Sequence, residues 1–254
     1  MQVTIDELLQ GKPTKIKNKD YFPTKGYVEP FLERMSKITN DFRVDVKLPD
    51  QITVADDGEN DITYNRVLVQ AVLPDIADNH SSVIGMVYGL DVRKPIVKIY
   101  KGLLNHACTN LCVFDPSFLN VQFIEPEKAI NFKPVDYLIE REDDTRLMLD
   151  TLSNTTWDGT PTNIESNLGR WIRKSLASEY ENGYGKIKIG TDLVIKAYQD
   201  IFVNEDSSYF IGEDNPVDMF TVYNSFTQQL TNAIGKDMMN ICEKTILLRQ
   251  ILDF

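Results

Sequence analysis

The residues whose types and spacing could do chemistry fall into three groups. The first is His106-x-Cys108-x-x-x-Cys112. On a strand these three positions share one face, and a histidine with two cysteines could begin a zinc site. On a helix, Cys108 and Cys112 share an apolar face with Leu104 and Leu111 while His106 points elsewhere. Free cysteine is commonly a small buried hydrophobe, so core packing is the expectation and no metal or other cofactor is assigned.

The second group is acidic: Glu140, Glu142, Asp143 and Asp144, then Glu205, Asp206, Glu213 and Asp214. A metal-dependent nuclease or hydrolase could use such carboxylates if they converged in one cleft. Adjacent carboxylates on a turn are more often a solvated face, and no catalytic residue is assigned. A non-enzymatic protein is the expectation. Motif tests agree: there is no G-x-x-x-x-G-K-[ST], no G-x-S-x-G and no H-E-x-x-H. With two histidines, His80 and His106, a Ser-His-Asp triad has little to draw on.

The third group is basic. Lys12, Lys15, Lys17, Lys19 and Lys25 face only Asp20 between residues 11 and 25, a net of +4. Arg170, Trp171, Arg173 and Lys174 put cations around an aromatic, with Lys186 and Lys188 nearby. Aromatics that stack bases and cations that hold phosphates are what single-stranded nucleic acid requires. The plainer alternative makes Trp171 a core residue with exposed cations beside it.

Whole-chain charge weighs against easy nucleic-acid binding. The 254 residues carry 27 Lys+Arg against 38 Asp+Glu, a formal net of −11. Non-specific binding to phosphate backbones runs on Lys and Arg. An acidic body instead steers association with basic proteins. A hydrophobic share of 42% and a charged share of 26% are those of an ordinary globular protein and argue against disorder.

These groups must be positioned by elements. Val28, Phe31, Leu32, Met35 and Ile38 have helical spacing. Phe42, Val44, Val46 and Leu48 alternate with Arg43, Asp45 and Lys47, as a half-buried strand does. Asp56–Asp61 is a turn by composition, and Ile62–Leu73 reads as the returning strand of a hairpin. Val83–Leu90, Ile96–Tyr100 and Val121–Ile124 read as further strands. Over Ile99–Val113 the spacing of Leu103, Leu104, Ala107, Cys108, Leu111 and Cys112 favours a helix, although a buried strand also fits. Ala129–Leu152 reads as helical in its second part, with Leu138, Ile139, Leu147 and Leu149 on the apolar side.

Residues from about 165 read as mostly helical, with a small hairpin around Asn182–Gly185. Pro216 opens a helix bearing Met219, Tyr223, Phe226, Leu230 and Ala233. Gly235 interrupts it before a second helix with Met238, Ile241, Cys242, Thr245, Leu248 and Leu252. The expected fold is α+β: a mostly antiparallel N-terminal sheet with helices, then a helical region ending in a helical hairpin. The expected parts are a basic arm (1–25), an α+β core (26–160) and a mainly helical region (161–254) packed on it.

Three cysteines are an odd number in a chain that needs no bridges, which points to a reducing compartment. No signal peptide and no run of 18 apolar residues is visible, so the expected setting is the cytoplasm, with no membrane partner.

From Asn79 to Val113 the order of features resembles a phage- and plasmid-borne family of unknown function (domain-of-unknown-function family 932). Asn79-His80-Ser81-Ser82 stands where that family shows an Asn-Ser-His-Asp-Gly-like stretch, and Cys108-Thr109-Asn110-Leu111 where it shows a Cys-Ser/Thr-Asn-Gly-like motif. Thr221-Val222-Tyr223-Asn224-Ser225-Phe226-Thr227 looks like its aromatic-Asn-x-x-Thr segment. The Asp-Gly is missing, and Leu111 replaces a glycine. The resemblance implies a mobile-element origin and the cytoplasm of a bacterial host, with Asn79, His80, Cys108 and Asn110 as motif positions. It implies no activity. The leading expectation is a non-enzymatic accessory protein that assists nucleic-acid transactions, for example as an oligomer on single strands. The alternative is an acidic protein-binding module, such as a host-factor inhibitor or an assembly component.

Overall fold

Tyr27, Val28, Phe31 and Met35 recur on one side of a helix, and in the computed structural model that helix is α1 (Lys25–Ile38). The structure describes residues 6, 15–16, 19–20, 25–47, 53–54, 62–63, 66–89, 96–106, 110–112, 120–123, 130–140, 142–157, 161–181, 186–212, 217–232 and 240–252. The turn expected at Asp56–Asp61 lies outside them, as do Asn182–Gly185, Pro216 and Gly235. The fold is α+β, and the chain divides into two compact units.

The first unit is built on a sheet of β1 (Arg43–Lys47), β2 (Arg66–Ala77), β3 (His80–Gly89), β4 (Ile96–Asn105) and β5 (Asn120–Phe123), ordered β5-β4-β3-β2-β1. β1 runs antiparallel to β2 from Arg43 opposite Val72 to Lys47 opposite Leu68. β2 and β3 form a long hairpin, with Arg66 opposite Gly89 and Val72 opposite Val83. One face presents Val67, Val69, Ala71, Ile84, Met86, Tyr88, Val97 and Ile99 to α1 and to α2 (Pro134–Glu140), closing a single core. Tyr27 of α1 meets Tyr88 at 5.3 Å between ring centroids, and Phe31 meets Phe132 at 5.8 Å. Burying each such large side chain contributes about 1.5–3 kcal/mol.

The opposite face is buried as well: Leu68, Gln70, Val72, Val83, Val87, Ile96, Lys98 and Tyr100. With both faces covered, β4 has all ten residues buried and loses the alternation that marks a half-exposed strand. That is why its apolar run imitates a helix. The expected helix over Ile99–Val113 is therefore corrected: β4 occupies Ile96–Asn105, and a short strand follows at Asn110–Cys112.

On this second face Gly85 is paired with Gln70 in register. The Tyr100 ring crosses Gly85 at the place where a Cβ would stand. The Gln70 amide donates to the Tyr100 hydroxyl at 2.9 Å. An aromatic thus covers the bare backbone of a central strand, and its polar tip is held by the next strand.

The β2–β3 turn needs a left-handed residue, and Asn79 supplies it at φ 58°. Asparagine tolerates this conformation better than most residues. Asn79→Gly is expected to be near neutral and Asn79→Val to cost about 1–2 kcal/mol, read from urea midpoints. An equal loss for both would overturn the conformational account.

A bidentate pair ties α1 to α2: Arg34 Nε donates to Asp136 Oδ1 at 2.7 Å and Nη2 donates to Oδ2. The hydrogen bonds from Arg34 hold the Asp136 carboxyl below the usual aspartate range. A depressed carboxyl stabilises the fold above its unfolded pKa of about 3.9, and that contribution fades as pH falls through the lower folded value. Asp136→Asn is expected to be less stable than the parent at pH 7, with the gap closing towards pH 2–3. Urea midpoints across that range check it, and a constant gap would remove the ion pair as its cause.

The second unit holds α3 (Glu142–Asn154, its first residue excepted), α4 (Pro161–Ala177), α5 (Thr191–Phe202), α6 (Met219–Asn232) and α7 (Ile241–Leu252). This unit takes the chain from Asp143, in α3's first turn, to Ala233, and Asn105–Pro116 also belongs to it. α4 packs on α5, α5 on α6 and α6 on α7, and the strand Asn110–Cys112 lies against α6 and α7. Asp218 caps α6: its carboxylate accepts from the Thr221 backbone N–H at 2.7 Å and from its hydroxyl at 2.9 Å. The Ser225 hydroxyl donates to the Ala197 carbonyl at 3.0 Å, and the Tyr223 hydroxyl donates to the Thr245 carbonyl at 3.0 Å, fixing α6 against α5 and α7. The expected pairing of the last two helices is present. α7 is buried nearly all round, including Cys242, Glu243 and Thr245. Leu147, expected on the apolar side of α3, is 67% exposed; Thr145, Leu149 and Leu152 form the buried stripe instead.

Candidate interaction surface

The basic strip on α4 divides by helical geometry. Successive residues turn by 100°, so Trp171 and Ser175 share the inward side while Arg170 and Arg173 are exposed and Lys174 is half-buried. Trp171 is 1% exposed and meets Phe226 of α6 edge-on, at 5.2 Å and 88°. It anchors the second unit's core and offers no ring face to a base.

Lys186 and Lys188 stand on and beside a small hairpin, in which Tyr180–Glu181 pairs with Lys186–Ile187. Both bind one carboxylate: the Lys186 ammonium bonds Glu179, and Lys188 Nζ lies 3.6 Å from Glu179 Oε2. Lys186 holds the Glu179 carboxyl below its usual range, and Glu179 pushes the Lys186 ammonium up. Two of the expected cations thus share one local carboxylate. In the N-terminal arm, Lys15 and Lys19 lie on a two-residue antiparallel ladder and Lys25 opens α1. Their side chains, and Lys12 and Lys17 altogether, lie outside the described residues.

The described motif positions each have a place in the local structure. Asn79 makes the β2–β3 turn, and His80 Nδ1 donates to the Asp78 carbonyl at 2.5 Å in the same turn. Ser81 donates to Asp75 Oδ1 at 2.5 Å, beside the irregular pairing at the end of β2. Asn110 begins the strand Asn110–Cys112, and Cys108 lies outside the described residues. Asn224 and Thr227 are buried in α6, where the Thr227 hydroxyl donates to the Asn224 carbonyl at 3.0 Å. Among the described residues, no three His, Cys, Asp or Glu side chains are placed to hold a metal ion. The cluster Glu140–Asp144 has its side chains outside the described residues.

The second acidic group is different. Beyond α5, the chain from Val203 to Gly212 folds on itself. Val203 and Asn204 donate to the Gln199 carbonyl at 2.9 and 2.8 Å, closing the helix. Ser207 donates to the Asn204 carbonyl at 2.9 Å, Phe210 donates to the Ser207 carbonyl at 3.1 Å, and Ile211 returns to the Ile201 carbonyl at 3.0 Å. The Asn204 and Ser207 side chains accept from the Asp206 and Tyr209 backbone N–H groups at 3.3 and 3.2 Å. Gly212, at φ 77°, ends the loop in a conformation that suits glycine.

This self-bonded loop displays Glu205 and Asp206 to solvent beside Val203, which is 59% exposed, with Tyr209, Phe210 and Ile211 half-buried beneath. A loop already held in one shape loses little conformational entropy when a partner docks. In the sequence Glu205 and Asp206 stand out only as charges. The run Asn204-Glu205-Asp206-Ser207-Ser208 carries the turn signal that would have found the loop. No family model, curated protein or solved structure matches the chain. No helix among the described residues is long and apolar enough to cross a membrane.

Proposed function

We propose that the chain is a non-enzymatic binding module that docks a basic, partly apolar protein segment on the loop Val203–Gly212. The observation that carries this is the preformed display of Glu205 and Asp206 next to exposed Val203. Opposite charge steers the encounter, and the apolar residue adds contact area once water leaves. The chain's net charge of −11 favours the same class of partner. In a bacterial cytoplasm this would suit an accessory protein of a phage or mobile element that occupies a host factor or an assembly partner. The setting rests on the family resemblance.

The test is fluorescence anisotropy with a labelled peptide of alternating lysine and leucine, in low and moderate salt. The double variant Glu205→Lys/Asp206→Lys is expected to weaken binding about tenfold in low salt, and Val203→Ser to weaken it in both salts. Unchanged affinity in all variants would overturn the proposal.

A second reading keeps the nucleic acid. Arg170 and Arg173 share the exposed side of α4, which suits phosphate contacts without base stacking. It would show as binding of a labelled single-stranded oligonucleotide that Arg170→Glu/Arg173→Glu abolishes. The absence of binding in low salt would remove it.

A further inference from the structure

We draw no further inference here: the strongest candidate, the acidic and apolar loop Val203–Gly212 beyond α5, belongs to the reading already proposed, and nothing in the structure shows what covers it.

Discussion

Replacing Gly85 by alanine is expected to destabilise the protein by about 2–4 kcal/mol, one of the two largest effects of any single substitution considered for this fold. The new methyl would stand inside the Tyr100 ring, and the nearest atoms belong to the ring itself, not to a flexible chain end. β2, β3 and β4 are neighbours in the centre of the sheet and buried on both faces, so the ring has little room to step aside. If it moves, the Gln70 amide loses its 2.9 Å partner in a buried place. Urea unfolding reads the loss directly. Tyr100→Leu should also destabilise, but the pair Gly85→Ala/Tyr100→Leu should cost less than the two single losses combined, because the clash vanishes with the ring. Additive losses would show that Gly85 and Tyr100 are independent.

The second large effect belongs to Trp171. Trp171→Ala is expected to cost about 3–5 kcal/mol, and Trp171→Phe distinctly less, because phenylalanine keeps part of the contact with Phe226. Thermal and urea unfolding measure both. A Trp171 that worked as a stacking platform would behave in the opposite way: stability would hold, and any oligonucleotide affinity would fall by about 1–3 kcal/mol per base. That outcome would return Trp171 to a nucleic-acid surface.

The same residue shows how far the sequence reaches. The alternation of Val44 and Val46 with charged neighbours, and the spacing of Tyr223, Phe226 and Leu230, are local patterns of period two and of helical period, so β1 and α6 could be read directly, although Val222–Thr227 is buried throughout. β4 is legible as a strand only over Ile96–Tyr100, and its continuation to Asn105 reads as a helix, because a strand covered on both faces carries no period. Trp171 was ambiguous for another reason. Its neighbours Arg170 and Arg173 are charged, and only the direction of the helix face decides whether the ring lies among them or beneath them. Leu147 misled in the reverse sense, since an exposed leucine costs little and follows no rule.

The loop at Val203–Gly212 was half-legible. Its charges were visible, while its closure depends on backbone bonds to Gln199 and Ile201 that no residue type announces. Gly85 was invisible altogether. A glycine in a strand signals a close approach, but the approaching ring comes from 15 positions along the chain, on another strand.

The strand Asn110–Cys112 has a further consequence, in time. It belongs with α6 and α7, yet it is made before β5 and α2 of the other unit. During synthesis at about 5–20 residues per second, roughly 5–20 seconds separate this strand from the start of α6. Over that interval the strand Asn110–Cys112 has been translated while the two helices it lies against have not. The second unit therefore cannot be completed from its C-terminal run alone, and its assembly waits on the last helix of the chain.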